Sequence, residues 1–144
     1  MRILGIDPGN RGYHWATYDK VRNEIIAWGD ESKLPNGAEF DAVAIEDIAA
    51  IYHPSRTRTD TAKMIGRLQA AFPDAIMITR ERVRTVLTGS ARGSEAAANR
   101  ALNRFIPSFA ARRRGLNGHH RAAAACAFVA VGRLQRQKIE GEKR

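Results

Sequence analysis

The sequence predicts an α/β fold, a five-stranded mixed β-sheet flanked by helices. Three features of the chain predict it. Short, continuous apolar runs have the length of buried strands, two aromatic and β-branched segments form a hairpin pattern, and amphipathic 3.6-residue periodicity dominates the second half. The segments follow one another as four strands, a helix, a strand and then helices. The first three strands therefore form a meander, and the later ones are joined through helical crossovers.

The first strand and the hairpin are predicted at the N-terminus. Ile3 to Ile6 is an apolar run that ends in the turn cluster Asp7 to Asn10, so an aspartate sits where a buried strand ends. Tyr13 to Asp19 and Asn23 to Trp28 follow as strand-forming segments separated by Lys20 to Arg22. They predict two antiparallel strands beside the first one.

Two further strands are predicted downstream. After a loop rich in Pro, Asn and Gly from Glu31 to Phe40, the apolar run Ala42 to Ile45 leads directly into Glu46 and Asp47. A carboxylate again marks the end of a strand. Ala75 to Thr79 is the last apolar run of strand length.

Helices are predicted from apolar spacing together with start and stop signals. The first covers Asp60 to Ala71, with Thr59 or Asp60 as its cap and Phe72-Pro73 as its stop. The tail from Arg133 to Arg144 is mostly charged and is expected to fray. Three more helices are predicted over Glu81 to Leu87 before Thr88-Gly89-Ser90, from Ser94 to about Ile106 before Pro107, and from His119 or His120 to about Gln137.

Length and charge bound the function. With 144 residues the chain has the size of one domain, predicted to span residues 1–144. There are 24 Lys and Arg against 15 Asp and Glu, a formal net charge of +9 at pH 7, and most of the excess is Arg. Because the planar guanidinium suits phosphate oxygens, a polyanionic partner is the leading expectation. The plain alternative is a solvated basic surface that serves solubility.

Cysteine usage and hydropathy exclude other classes. The single cysteine, Cys126, lies in the apolar run Ala125 to Val129, where a thiol serves as a small core residue, and one cysteine allows no disulfide within the chain. The N-terminus lacks the pattern of a signal peptide, and the sequence has no apolar stretch of membrane-spanning length. We therefore expect a cytoplasmic protein without a membrane partner.

Two carboxylates are the candidate catalytic groups. Asp7 and Glu46 each stand at or just beyond the end of an apolar strand, so the two side chains converge if the strands are neighbours. Such a pair repels itself unless it shares a proton or a cation, and its hard oxygen ligands suit Mg²⁺ or Mn²⁺. Two-metal phosphodiester hydrolysis uses this arrangement. The plain reading is an aspartate that serves a turn and a glutamate that is merely solvated.

Four segments together resemble the RuvC family of Holliday junction resolvases. They are Leu4 to Asn10, Ala44 to Glu46, Arg82 to Gly89 followed by Arg92, and His119 to Ala125. The resemblance runs over most of the chain and implies a ribonuclease H-like fold. It further implies a metal-dependent endonuclease in which Asp7 is a metal ligand and Glu46 the catalytic glutamate. The first segment is shared with the whole ribonuclease H-like superfamily, so only the set is specific.

The last segment departs from the family. There an acid or His is followed three residues later by Asp, which places two metal ligands on one face of a helix. His120 matches the first place, with His119 as the fallback, and Ala123 stands in the second place. The resemblance thus implies that Ala123 replaces an aspartate, by deliberate inactivation or by natural loss. Asp7, Glu46 and His120 are then the expected metal ligands, and we expect the chain as it stands to cleave poorly.

Candidate DNA contacts come from the basic segments. Tyr52 follows the motif of Glu46 and either stacks on an unpaired base or closes the core. The candidate phosphate contacts are Arg56, Arg58, Arg80, Arg82, Arg84, Arg92, Arg112, Arg113 and Arg114.

The resemblance implies a homodimer that nicks two symmetric strands of a four-way DNA junction, since a two-fold substrate matches a two-fold protein. Each active site is expected to bind two Mg²⁺ ions, for which Mn²⁺ can substitute. The protein is expected in the cytoplasm of a bacterial cell or a phage-infected host. Two alternatives stay open. One is another ribonuclease H-like nuclease that acts on branched DNA or RNA:DNA hybrid, and the other is a junction-binding protein without catalysis.

Overall fold

The structure, a computed structural model, describes residues 1–34, 39–48, 56–111 and 115–144, without the side chains of residues 56, 110 and 111. The strands are β1 Arg2–Pro8, β2 Tyr13–Asp19, β3 Glu24–Asp30, β4 Ala42–Asp47 and β5 Ile76–Thr79. A 3₁₀ turn spans Glu31–Lys33, and the α-helices are α1 Arg56–Ala71, α2 Arg80–Thr88, α3 Glu95–Phe105, α4 Pro107–Ala111 and α5 Gly118–Glu142.

The strands form one five-stranded mixed sheet with the order β3-β2-β1-β4-β5. β1 pairs antiparallel with β2, and β2 pairs antiparallel with β3, so the predicted meander is confirmed. β4 lies parallel to β1 on the other side, and β5 lies parallel to β4. The predicted α/β fold with a mixed sheet flanked by helices is therefore confirmed.

The pairing of β1 with β4 positions the two candidate carboxylates. Ile6 is in register with Ile45, so the residues that follow them, Asp7 and Glu46, leave the sheet side by side. Residues alternate between the two faces of a strand. Because Ile6 and Ile45 pack on the face covered by α1, both carboxylates point to the opposite face.

The helix α5 covers that opposite face. It packs against β1, β2 and β4, and Ala123, Ala124, Ala127 and Cys126 are fully buried there, as predicted for this thiol. A Cβ at Gly5 would collide with the carbonyl oxygen of Ala123. The backbone of α5 can therefore pack close to β1 only because Gly5 has no side chain and the facing residues of α5 are small alanines.

The other face carries α1. Met64 and Leu68 of this helix join Leu4, Ile6 and Ile45 in a second buried cluster. The sheet is consequently covered on both sides, which explains why β1 reads as a continuous apolar run rather than an alternating one.

Three helix boundaries differ from the sequence prediction. α1 begins at Arg56 instead of near Asp60, because its polar first turn carries no apolar residue that would reveal it. Pro107 ends α3 but also opens the short helix α4, since proline is well suited to a first helical position. The charged tail after Gln137 continues α5 to Glu142 and is helical rather than frayed.

Two helix caps match the predicted signals. Ser94 caps α3 by accepting a hydrogen bond from the Ala97 amide, and Gly89 ends α2 in the left-handed conformation at φ 82°. Within the part of the chain that the structure describes, none of the helices has both the length and the hydropathy to cross a membrane.

The contact between Gly5 and α5 yields a stability prediction. Gly5→Ala should destabilise the fold by about 1–3 kcal/mol or more, because the added methyl group forces α5 away from β1. Gly66→Ala is the matched control: a Cβ there meets no atom within 4 Å, so it should stabilise α1 by about 1 kcal/mol. Urea unfolding of both variants measures this difference, and equal midpoints for Gly5→Ala and the parent would show that the contact is absent.

Candidate active site

Asp7 and Glu46 lie at the bottom of a cavity of about 380 Å³ beside the start of α5. Each of the two residues is only 5% exposed. The described residues that line the cavity are Asp7, Glu46, Arg80, Val83, Arg84, Leu87, Glu95, Ala98, Asn99, Gly118, His119, Arg121, Ala122 and Ala125. The two carboxylates therefore share one concave site with several basic side chains, as their strand-end positions predict.

A histidine contacts Asp7 directly. His119 Nδ1 lies 2.9 Å from Asp7 Oδ2, so the two groups are within hydrogen-bond distance, and Nδ1 is the donor when Asp7 is ionised. The His119 ring also stacks on His14, with centroids 4.7 Å apart and planes 11° from parallel. Sequence reasoning missed His14, although it pairs with Asp7 across the antiparallel strands β1 and β2. The antiparallel pairing of the first strand with the first hairpin strand was the signal for it.

An arginine contacts Glu46. Arg80, the first residue of α2, donates from Nε to Glu46 Oε1 at 2.9 Å. The Arg80 side chain is 60% exposed, whereas that of Glu46 is 6% exposed. Arg80 was expected to bind DNA phosphate, and here it lies against a candidate catalytic group.

Burial dominates the ionisation of both carboxylates. Burial raises the pKa of Asp7, and the hydrogen bond and charge of His119 oppose that shift. Burial also raises the pKa of Glu46, the negative charge of Asp7 raises it further, and Arg80 opposes both effects. The ionised pair is thus costly in the absence of cations, which is the electrostatic condition for attracting one.

The structure favours His119 over His120 as the site histidine. His120 belongs to the start of α5: its backbone amide donates to Asn117 Oδ1 at 2.9 Å, and its Nδ1 accepts from the Asn117 amide at 3.2 Å. This capping box engages Nδ1 of the imidazole in the cap of α5, and the residues that line the cavity include His119 but not His120. Burial lowers the pKa of His120, whose ring meets His14 edge-on at 5.1 Å between centroids.

The predicted position of the fourth ligand needs the same one-residue correction. Ala123 is fully buried in the core, and its carbonyl packs on Gly5, so its side chain does not line the cavity. Ala122 does line it, together with His119. The spacing of three residues is retained, but the pair that faces Asp7 and Glu46 is His119 and Ala122. A carboxylate at 123 would enter the apolar core instead.

The arginines separate into two groups. Arg80 and Arg84 line the cavity, whereas Arg82 lines a different surface depression with Arg133 and Arg136. Arg58 and Arg92 are exposed and lie outside the cavity lining. Tyr52, Arg112, Arg113, Arg114 and the side chain of Arg56 lie outside the described residues.

Three polar residues of the cavity wall, Glu95, Asn99 and Arg121, were not found from the sequence. Arg121 is half-buried, and its guanidinium carbon lies 5.8 Å from the centre of the Phe109 ring. Asn99 of α3 adds a half-buried amide beside it. Both are polar residues of helices that also carry exposed polar residues, so periodicity alone does not separate them from residues that face solvent.

The cavity offers the oxygen ligands that Mg²⁺ requires. Two carboxylates in a water-accessible cavity fit one such ion, because Mg²⁺ is commonly bound by one or two carboxylates together with water and phosphate oxygens. Over residues 1–34, 39–48, 56–111 and 115–144, no three His, Cys, Asp or Glu side chains are already arranged around a common ion position. The carboxylates therefore fit one ion, and position 122 lacks the acid that would strengthen a second.

The buried carboxylates yield a pH-dependent stability prediction. Because burial raises the pKa of Glu46 in the folded protein, its ionisation destabilises the fold as the pH rises above the unfolded value near 4.5. Glu46→Gln should accordingly raise the melting temperature at pH 7 by a few degrees, with the gain shrinking at pH 4. Calorimetry at the two pH values measures it, and the exposed Glu140→Gln is the control. A lower melting temperature for Glu46→Gln at pH 7 would mean that Arg80 outweighs burial.

The solved structures provide the comparison with known proteins. The chain matches Thermus thermophilus RuvC in complex with a Holliday junction substrate with a TM-score of 0.68 and 16% identity, covering 90% of this chain and 92% of that one. A further Thermus thermophilus RuvC structure matches with a TM-score of 0.66 at the same identity and coverage. No protein-family model and no curated protein sequence matches the chain. The chain therefore has a RuvC-like fold.

Proposed function

We propose that the chain is a metal-dependent endonuclease that cleaves four-way DNA junctions. The observation that carries the proposal is the pair of buried carboxylates, Asp7 and Glu46, that leave neighbouring parallel strands of a RuvC-like sheet into a cavity with a basic wall. The structural neighbour bound to a Holliday junction supports the same class of substrate. The net charge of +9 supports a polyanion.

In this mechanism Asp7 and Glu46 would hold Mg²⁺, for which Mn²⁺ would substitute. When bound, the ion would supply Lewis acidity at the scissile phosphate and lower the pKa of a water molecule. His119 would orient Asp7 through Nδ1, and its second ring nitrogen would accept a proton from the attacking water. The water oxygen bonds to phosphorus as the P–O3′ bond breaks, and the departing 3′-oxygen takes its proton from solvent. Stacking on His14 keeps the imidazole in that orientation.

The basic wall positions the DNA. Arg84 and Arg121 bind phosphates on either side of the scissile bond, and contact with the Phe109 ring holds the Arg121 guanidinium in place. Two copies of the chain bind one junction, because a two-fold junction presents two equivalent strands. Each copy then nicks one of them.

A junction-binding protein without turnover is the second candidate. The observation that favours it is Ala122, which stands where the resemblance places a fourth metal-binding acid once the register of α5 is set by His119. Without that acid, a two-ion site is weakened while the basic wall persists. In this reading the chain as it stands binds junctions but cleaves them only slowly.

The basic wall yields a binding prediction. The chain should bind a four-way junction more tightly than duplex DNA of equal length, and affinity should fall steeply as salt rises. Arg84→Gln and Arg121→Gln should each reduce the slope of log affinity against log salt by about one. Arg22→Gln removes an exposed charge in the β2–β3 turn, which lies at the end of the sheet opposite the cavity. It should leave the junction affinity and the salt slope unchanged. Fluorescence anisotropy measures the affinities and the salt slopes. Equal affinity for junction and duplex DNA would contradict the junction-cleaving proposal and favour a general nuclease or one specific for RNA:DNA hybrid.

The register of α5 yields a cleavage prediction. Ala122→Asp should raise junction cleavage in Mg²⁺ by orders of magnitude, because it adds a carboxylate to the cavity that already holds Asp7 and Glu46. Ala123→Asp should not activate the chain and should destabilise it by about 3–5 kcal/mol, since it buries an unpaired charge beneath β1. Gel assays of nicked junctions and urea unfolding distinguish the two.

The controls for this prediction use the same assays. Asp7→Asn or Glu46→Gln in the Ala122→Asp background should abolish the gained cleavage while junction binding remains. Activation by Ala123→Asp instead of Ala122→Asp would restore His120 as the ligand and overturn the register seen here. Absence of cleavage in both variants would favour the binding protein.

A further inference from the structure

Arg80 lines the cavity together with the three carboxylates among its described lining residues, Asp7, Glu46 and Glu95. Its Nε donates to Glu46 Oε1 at 2.9 Å. A guanidinium thus occupies the place beside Glu46 that a divalent cation needs.

The backbone of Arg80 is fixed while its side chain can turn. Thr79, the last residue of β5, is also the cap of α2, so no loop separates the strand from Arg80. β5 is in register with β4, with Glu46 opposite Ile78. The side chain extends from this fixed point and is 60% exposed, so it can leave Glu46 for another anion without moving the fold.

We propose that Arg80 blocks the metal position at Glu46 in the DNA-free protein, and that a DNA phosphate draws its guanidinium away so that metal and DNA bind together. This inference rests on the proposed function and adds a positioning residue to it. Arg80 neither ligates the metal nor takes part in bond cleavage. It determines when Glu46 becomes available.

Charge repulsion is the physical basis. A divalent ion at Glu46 would lie within a few ångströms of the guanidinium, where like charges repel strongly because the site is partly desolvated. A phosphate accepts two parallel hydrogen bonds from a guanidinium and competes well with a single carboxylate oxygen. Glu95, which lines the same cavity, is a second acceptor for the displaced side chain.

Thermodynamic reciprocity makes the proposal measurable from either side. If DNA binding removes Arg80 from Glu46, DNA raises the affinity for metal, and the metal raises the affinity for DNA by the same factor. The plain alternative is that Arg80 only compensates the buried charge of Glu46. In that case its removal lowers stability and leaves metal affinity unchanged.

The first experiment measures Mn²⁺ binding to the DNA-free chain by electron paramagnetic resonance. Arg80→Gln should bind Mn²⁺ about tenfold more tightly than the parent, the order of a typical coupling between two sites. Arg80→Lys should stay close to the parent, because it keeps the positive charge. Arg22→Gln, which removes an equal charge at the far end of the sheet, should change nothing. Circular dichroism verifies that each variant is folded.

The second experiment measures junction affinity with and without Mn²⁺ at constant ionic strength. Mn²⁺ should strengthen junction binding by the parent and should strengthen it less for Arg80→Gln. It should not strengthen junction binding by Glu46→Gln, which is the control for Mn²⁺ ions that bind to the DNA itself. If the parent and Arg80→Gln bind Mn²⁺ with equal affinity, the proposed role of Arg80 is overturned, but the proposed function is not. If Asp7→Asn and Glu46→Gln bind Mn²⁺ as the parent does, the metal site fails, and the proposed function fails with it.

Discussion

The parallel pairing of β1 with β4 is the constraint on which the site depends. Because Ile6 is in register with Ile45, the next residue of each strand emerges at the same edge and on the same face of the sheet. A slip of one residue would turn one carboxylate toward α1 and remove the pair. The apolar side chains on both faces hold the register, so the stability of the core and the geometry of the site have one origin.

Local patterns were sufficient to predict the sheet and most of the helices. The five apolar or β-branched segments correspond to the five strands, and Ser94 and Gly89 act as the caps that their residue types suggest. The sequence does not predict α4, because Pro107 follows the apolar pattern of α3 as a stop signal, although its fixed φ also suits the start of a helix. The strand ends predicted Asp7 and Glu46 as neighbours because each followed an unbroken apolar run.

The phase of α5 could not be predicted from the sequence. A helix that begins with two histidines and four alanines has almost no polar contrast around its circumference, so no face is marked as buried. The phase is set by the tertiary contact of Gly5 with the backbone at Ala123 and by the cap at Asn117. Both shift the site pair by one residue, to His119 and Ala122. His14 likewise enters the site through strand register rather than through any motif of its own.

The first residues of three helices, Arg80 of α2, Glu95 of α3 and Gly118 of α5, line the same cavity. Each helix carries a macrodipole whose positive end lies at its N-terminus, equivalent to about half an elementary charge. Three such ends meeting at one cavity create a positive potential that comes from the backbone and therefore survives substitution of any side chain. This potential favours the ionised carboxylates and an incoming phosphate alike. The architecture of the fold thus contributes to anion attraction independently of the arginines.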